Sequence, residues 1–207
     1  HQVDVRDPVS VRACVAAVRA AHGTVDAVVH AAGILNDGLV GSRTVAQLDS
    51  VLDTKVGAAA TLLEAAGPGL SLAVLVGSWA GRYGNAAQTA YSAANEMMAR
   101  LAVPEAGAQG GPRVVAIDFP PWEDSEMARK IPGFKKAELK AQGVSFLSDE
   151  AGLKAFLTEV AGGRGEVLVG RNVPRRTQSH VAAFPVSRLS HVYLNDHTMA
   201  GQRVLPF

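Results

Sequence analysis

The 207-residue sequence contains one cysteine, Cys14, which excludes an internal disulfide and any cysteine-rich metal site. We therefore expect a reducing, cytoplasmic compartment and no metal ion. Positive and negative side chains nearly cancel at a net charge of +1, so charge gives no reason to expect nucleic acid or an anionic membrane as a partner. No apolar run approaches the ~20 residues of a membrane span, and the sequence does not open with a signal peptide.

Two further features are missing at the start. There is no initiator methionine, and "HQVDVRDPVSV" opens on what reads as the end of a strand. There is also no glycine-rich turn of the kind that joins a strand to a helix and holds a pyrophosphate at the helix N-terminus. We therefore expect the chain to be a piece of a longer protein, with that turn upstream of residue 1.

What is present fits a folded globular protein, since hydrophobic residues make up 48% and charged residues 19%. The predicted strands are "VDAVVHAAG", "LAVLVGS", "RVVAIDF" and "GEVLVG". Helices are predicted over "DPVSVRACVAAVRAAH", residues 45–66, the segment around Tyr91 and residues 150–161. Apolar strands that alternate with helices indicate a parallel sheet covered on both faces. The predicted fold class is α/β, a Rossmann-like doubly wound parallel sheet that lacks its first βαβ portion.

Polar residues cluster where the predicted strands end, and in open parallel sheets ligands bind outside the carboxyl ends of the strands. Ser78 ends "LAVLVGS", and Tyr91 follows thirteen residues later. Asn95 lies one helical turn beyond Tyr91 on the same face. Lys55 lies upstream, in the helical segment 45–66. These four residues are the candidate catalytic group.

Each of these side chains has a chemical use. Tyr91 can protonate an alkoxide that forms from a ketone, and Ser78 can hydrogen-bond the carbonyl oxygen. A tyrosine with a pKa of about 10 is poorly matched to neutral pH, so we expect the Lys55 ammonium to lower the pKa of Tyr91. Asn95 can bind a water or a backbone group that passes protons inward.

Short-chain dehydrogenases and reductases use these same four residue types, usually with lysine four residues after the tyrosine. Here Lys55 comes early and Asn95 stands at Tyr-x-x-x-Asn, which resembles the ketoreductase domains of polyketide synthases and related multifunctional fatty-acid synthases. The resemblance covers residues 2–171. It implies NADPH as cofactor and a β-ketoacyl chain on the phosphopantetheine arm of an acyl carrier protein as substrate, with neighbouring synthase domains as partners.

The same resemblance implies a cofactor-binding region. "VHAAGILNDG" resembles the family's H-A-A-G strand end, "VDV" a strand end beside the adenine, and "IDFPPWEDSEMA" a segment that leads to a mobile lid containing Met127. By itself, His30 is interpreted as a buried, hydrogen-bonded histidine rather than a base or metal ligand. The implied cofactor-binding residues are Asp4, Val5, His30, Ala31, Ala32, Gly33, Tyr91, Pro121 and Trp122.

Three positions depart from the family pattern. Pro120 stands where a glycine usually precedes "PW", which restricts the backbone. Leu35–Asp37 reads Leu-Asn-Asp where many relatives that give one alcohol configuration read Leu-Asp-Asp. Tyr83 occupies the position of a tryptophan linked with the opposite configuration. These features favour the Leu-Asp-Asp type.

The end of the sequence has a different character. "DHTMAGQRVLP" carries His197, Gly201 and Pro206 in an H-x-x-x-G-x-x-x-x-P pattern that resembles the first catalytic segment of a hot-dog dehydratase domain. In that family the histidine removes a proton α to the thioester carbonyl. The predicted domains are a ketoreductase part over 1–171, a linker over 172–190 and the start of a dehydratase over 191–207.

Two other functions remain open from the sequence. One is a stand-alone short-chain dehydrogenase that acts on a free small molecule. The other is a non-catalytic element that holds neighbouring synthase domains together. The run "RKIPGFKKAELK" is interpreted as a solvated helix face, with a docking patch for an acidic carrier protein as the alternative.

Overall fold

The computed structural model describes residues 1–103, 110–129, 131–141, 143–170, 198–199 and 202–203. The chain divides into two compact units, His1–Pro174 and Arg175–Phe207. The first unit contains a four-stranded sheet in the order β1-β2-β3-β4. Its strands are β1 (Ala27–His30), β2 (Leu72–Ser78), β3 (Arg113–Phe119) and β4 (Gly165–Leu168). Every pairing between neighbours is parallel, so the carboxyl ends of the strands share one edge. The predicted parallel α/β fold is confirmed.

Eight α-helices are described in the first unit. They are α1 (Pro8–His22), α2 (Val45–Leu52), α3 (Ala58–Ala66), α4 (Trp79–Tyr83), α5 (Thr89–Arg100), α6 (Glu126–Arg129), α7 (Gly133–Ala141) and α8 (Asp149–Gly162). Side chains cap the N-termini of four of them, since the first backbone N–H groups of a helix have no partner within it. The capping residues are Asp7, Thr44, Ser78 and Ser148. Gly23 ends α1 with a φ of 89°, as its place after the periodic segment predicts.

The two faces of the sheet bury different helices. On one face Leu75 and Ala116 pack with Met98 and Ala99 of α5. On the other face Val115 and Ile117 pack against residues of α8. Because side chains alternate along a strand, every second residue of β3 faces α5, and Asp118 is one of them.

The segment 45–66 is one continuous helical run that contains a π turn. Helix α2 passes into five residues of π-helix, Asp53–Gly57, and then into α3. A π turn inserts one extra residue into an α-helix and is frequent at functional sites. Periodicity predicts the helix but not the turn, and Lys55 lies at its centre.

The strand end that we expected at the start of the chain is not formed. Residues 1–4 have no regular structure, and a turn closed by the Asp7 N–H and the Asp4 carbonyl leads into α1. The Asp4 carboxylate binds the Arg6 guanidinium at 2.7 Å and the Arg6 N–H at 3.0 Å, which holds the chain in this turn. The prediction of a strand at "VDV" is therefore wrong for this structure.

In the second unit, β5 (Thr198–Met199) pairs antiparallel with β6 (Gln202–Arg203). His197, Gly201 and Pro206 lie outside the described residues. Among the residues that the structure does describe, no helix has the length and apolar character to span a membrane.

Candidate active site

Lys55 is buried, with 4% of its surface exposed, in the π turn beneath the carboxyl ends of β1 and β2. Its ammonium donates a hydrogen bond to the Val76 carbonyl oxygen at 3.1 Å and lies 5.7 Å from the centroid of the Tyr91 ring. A buried cation loses hydration, and burial lowers the pKa of Lys55 to about 8. The lysine is therefore held in place by backbone and aromatic contacts, and its ammonium loses its proton at a lower pH than an exposed lysine would.

Residues at the end of β1 position the Lys55 backbone and side chain. His30 is 2% exposed, and its Nε2 donates to the Lys55 carbonyl oxygen at 3.0 Å. Burial and the Lys55 charge lower the pKa of His30, so the ring stays neutral. A Cβ at Gly33 would lie 3.3 Å from Lys55 Cε, so a side chain there would press on the lysine. The interpretation of His30 as a buried, hydrogen-bonded histidine is confirmed.

Tyr91 and Ser78 meet above this lysine. Ser78 ends β2 and begins α4, where its Oγ accepts a hydrogen bond from the Ala80 N–H at 3.2 Å. Its side chain also lies near enough to the Tyr91 phenol to lower the pKa of that group, which favours the tyrosinate. Gly81 lets α4 approach α5, since a Cβ there would lie 2.9 Å from the Glu96 nitrogen. The short helix α4, which the sequence did not predict, thus brings Ser78 to Tyr91.

The expected lowering of the Tyr91 pKa does not occur. Burial of the phenol raises its pKa, and this effect outweighs the influence of the nearby Ser78 and Asn95 side chains, which lowers it. The charges of Asp37 and Asp118 raise the pKa further. The family resemblance places the lysine near the tyrosine, but it does not show how far the tyrosine is desolvated. In this structure the prediction about the pKa of Tyr91 is therefore wrong.

Asn95 lies one turn along α5 and is fully buried. Its Nδ2 donates to the Tyr91 carbonyl oxygen at 2.8 Å, while its Oδ1 has no hydrogen-bond partner among the described residues. A buried amide oxygen without a donor is costly, and a water or ligand hydroxyl would satisfy it. The Asn95 Nδ2 therefore stabilises the backbone of α5, while the Oδ1 remains available to accept a hydrogen bond.

The rim of the site is formed by the loop after β1. The Asn36 Nδ2 donates to the Gln47 carbonyl oxygen at 3.1 Å, which ties the loop to α2. The Asp37 Oδ2 accepts from the Gln88 Nε2 at 2.8 Å. Ala87 beside it has a φ of 64°, a strained conformation for a non-glycine residue. Gln88 had no signal in the sequence, because its role depends on the loop that folds against it.

The remaining residues that were predicted to bind the cofactor lie in several different environments. Ala31 and Gly33 are exposed at the carboxyl end of β1, with Ala32 half-buried between them. Val5 and Pro121 are half-buried, and Asp4 is paired with Arg6. The Trp122 ring packs edge-on against Phe119 at 5.2 Å, and a Cβ at Gly152 would overlap it, so Trp122 has a packing role between β3 and α8.

One buried ionisable residue was missed in the sequence. Asp118 in β3 is 1% exposed, and a Cβ at Gly77 would overlap its Oδ1. Burial, followed by the charge of Glu166, raises the pKa of Asp118 to about 7. A lone acid within the apolar run "VVAIDF" was the available signal, since ionisable residues are rarely buried without a partner.

Comparison with known proteins gives a consistent result. A family model described as the KR domain matches residues 1–124. The chain is 30% identical over 190 residues to a polyunsaturated fatty acid synthase polypeptide of Thraustochytrium sp., a match that covers 89% of this chain and 6% of that protein. The chain therefore spans a small part of this relative.

Two solved structures share the fold. One is a ketoreductase domain from the bacillaene assembly line, with a TM-score of 0.70 and 26% identity over 81% of this chain and 41% of that one. The other is PlmKR1, the ketoreductase from the first module of phoslactomycin biosynthesis in Streptomyces sp. HK803, with a TM-score of 0.69 and 30% identity over 80% and 38%. The Lys55, Ser78 and Tyr91 geometry and these matches agree: the chain belongs to the KR, or ketoreductase, domain family of type I polyketide and polyunsaturated fatty-acid synthases.

Proposed function

We propose that this chain is the catalytic part of an NADPH-dependent ketoreductase domain, which reduces a carrier-bound β-ketoacyl thioester to the β-hydroxyacyl thioester within a multifunctional synthase. The observation that carries the proposal is the convergence of Ser78 and Tyr91 above the buried Lys55 ammonium. Family membership supports the reaction class. A β-ketone on a carrier arm is the substrate that such synthase relatives imply.

The residues present fit a nicotinamide cofactor. Ala31 and Gly33 are small and exposed at the carboxyl end of β1, where parallel α/β sheets bind ligands. The Asn95 Oδ1 is an acceptor behind Tyr91 without a partner among the described residues. In this proposal the segment His30–Gly33, together with Asp4 and Val5, borders the cofactor. When bound, the cofactor supplies the hydride.

The chain's own residues supply position and a proton. Ser78 hydrogen-bonds the substrate carbonyl oxygen and aligns it with Tyr91. The Tyr91 hydroxyl gives its proton to the oxygen as the alcohol forms, and a raised pKa keeps that hydroxyl protonated until then. The Lys55 ammonium stabilises the tyrosinate that remains. Asn95 donates to the Tyr91 backbone carbonyl, and its open Oδ1 binds the water that passes protons inward.

We further propose that residues 1–171 form the ketoreductase part, 172–190 a linker and 191–207 the start of a dehydratase domain. The second compact unit begins at Arg175, within the proposed linker. Thr198–Met199 pairs with Gln202–Arg203, and Gly201 of the dehydratase-like motif falls between these two strands in the sequence. His197 would be the base of that domain.

The test is NADPH oxidation with a β-ketoacyl thioester surrogate, in the parent synthase and its Tyr91→Phe variant. We expect turnover in the parent and a loss of at least about 10²-fold in the variant, since general acid catalysis contributes that much or more. NADPH binding, followed by fluorescence, should be unchanged. Full activity of Tyr91→Phe contradicts the role of Tyr91. Failure of the parent to bind NADPH would favour a non-catalytic element.

A further inference from the structure

A buried carboxyl lies behind the catalytic group and has no part in the proposed reaction. Asp118 faces α5 from β3, with 1% of its surface exposed. In the sheet register it is opposite Gly77, and the missing side chain of Gly77 leaves the space that the carboxyl occupies. Its Oδ1 accepts no hydrogen bond from the described residues. A buried carboxyl left this way costs free energy, so its retention calls for an explanation.

The position of this carboxyl relates it to Lys55. The Val76 carbonyl that accepts from the Lys55 ammonium immediately precedes Gly77, the residue paired with Asp118. The Asp118 charge favours the ammonium form of Lys55, whereas burial disfavours it. The Asp118 carboxyl therefore lies beside Gly77, one residue along β2 from the carbonyl that binds the Lys55 ammonium.

Other charged groups surround Asp118 from each neighbouring element. Glu166 of β4 and Glu96 of α5 oppose its ionisation, and Arg82 of α4 favours it. Arg82 also binds the Glu166 Oε2 at 2.8 Å. Lys55 from the π turn and Tyr91 from α5 complete the set that the Asp118 charge acts on. The Asp118 charge is therefore influenced by Glu166, Glu96 and Arg82 and itself acts on Lys55 and Tyr91.

We propose that Asp118 is a positioning residue which keeps the buried Lys55 ammonium charged behind Tyr91. The inference rests on the proposed function, in which a charged Lys55 stabilises the tyrosinate. A buried lysine readily becomes neutral without an opposite charge nearby. Asp118 supplies that charge from within the sheet, where substrate and cofactor do not displace it. Asp118 acts through Lys55 and does not touch the reacting atoms.

The test is the pH at which Lys55 loses its proton in the parent protein. Competitive acetylation with acetic anhydride reports the neutral fraction of each amine, and mass spectrometry of the Lys55 peptide measures it. Asp118→Asn keeps the shape and removes the charge, and we expect the midpoint of Lys55 to fall by about one pH unit. Asp118→Ser is a smaller neutral replacement that gives the same direction if Asp118→Asn does not fold.

Two control variants distinguish the loss of the Asp118 charge from a general disturbance of the surrounding structure. Glu166→Gln alters the cluster but leaves Asp118 free to ionise at lower pH, so the Lys55 midpoint should not fall. Glu64→Gln removes an exposed carboxylate on α3 and should leave the midpoint unchanged. An unchanged Lys55 midpoint in both Asp118 variants overturns the proposal, as does an equal fall in Glu166→Gln.

The pH profile of kcat/KM provides the second readout. If the proposal holds, the alkaline decline in Asp118→Asn moves to lower pH by the same amount as the Lys55 midpoint. The labelling experiment needs no substrate, so it is independent of the proposed reaction. A fully active Tyr91→Phe together with a lowered Lys55 midpoint in Asp118→Asn would refute the proposed reaction and leave the role of Asp118 intact.

Discussion

The Lys55 ammonium lies 5.7 Å from the centroid of the Tyr91 ring while it donates its hydrogen bond to the Val76 carbonyl. The lysine therefore faces the tyrosine as a charge beside a ring and not as a hydrogen-bond donor to its hydroxyl. Cations near an aromatic face gain about 0.5–2 kcal/mol, depending on how far they are desolvated. The arrangement leaves the Tyr91 hydroxyl available to Ser78 and to a substrate.

Ser78→Ala should lower both activity and stability. Ser78 interacts with Tyr91 and also caps α4, so its loss removes an orienting group and a helix cap. We expect kcat/KM to fall by about 10²-fold and the free energy of unfolding by about 1 kcal/mol. Ser148→Ala is the matched control, since Ser148 caps α8 in the same way. It should lose similar stability and keep full activity, and equal losses of activity would contradict the role of Ser78.

Gly77→Ala should destabilise the fold because the new methyl group would overlap the Asp118 carboxylate. Overpacking of a rigid interior costs about 1–3 kcal/mol. Gly111→Ala, where the added carbon meets nothing within 4 Å, should be near neutral. Chemical denaturation of both variants checks this. The cost of Gly77→Ala should shrink in an Asp118→Ala background, and an undiminished cost would show that the methyl group meets something else.

Asp118 should make the protein less stable as the pH rises from about 4 to about 7. Its pKa is 3.8 in the unfolded chain and about 7 when folded, so in this range the folded state holds the proton more tightly. The stability due to this proton is present below pH 3.8 and lost as the pH passes 7. Asp118→Asn removes the dependence. Its stability relative to the parent should rise between about pH 4 and 7, by at most about 4 kcal/mol over that whole range, as measured by urea denaturation.

Arg113→Met should weaken the attachment of α8 to the sheet. The Arg113 guanidinium donates to three carbonyl oxygens in the last turn of α8 and just beyond it: Glu159, Val160 and Gly163. Leaving these half-buried carbonyls without donors costs about 1–3 kcal/mol. Arg12→Met, which breaks an exposed pair with Glu64, should cost less than about 1 kcal/mol. Hydrogen exchange should show faster opening of α8 in Arg113→Met only.

Much of the sheet and of the catalytic group was predictable from the sequence. Two largely apolar runs of seven residues predicted the exact bounds of β2 and β3, because a parallel strand buried on both faces is apolar over most of its length. The helix position of Asn95 relative to Tyr91 followed from periodicity alone.

Other features depend on tertiary contacts that leave no local pattern. The π turn at Lys55 is a change in hydrogen bonding within a good helical sequence, so periodicity predicts a plain helix there. Helix α4 has five residues, fewer than a periodic signal needs. The rise in the pKa of Tyr91 reflects burial by neighbouring elements, which residue spacing does not encode.

The π turn also makes the number of residues in its helical segment critical. Helix α2 packs on α5, whereas α3 packs on α1, and the extra residue of Asp53–Gly57 sets the rotation between those two contacts. Removing or adding one residue would turn one half by about 100° relative to the other, so that only one contact is kept. Between Val45 and Ala66 this chain can therefore accept substitutions far more readily than insertions or deletions.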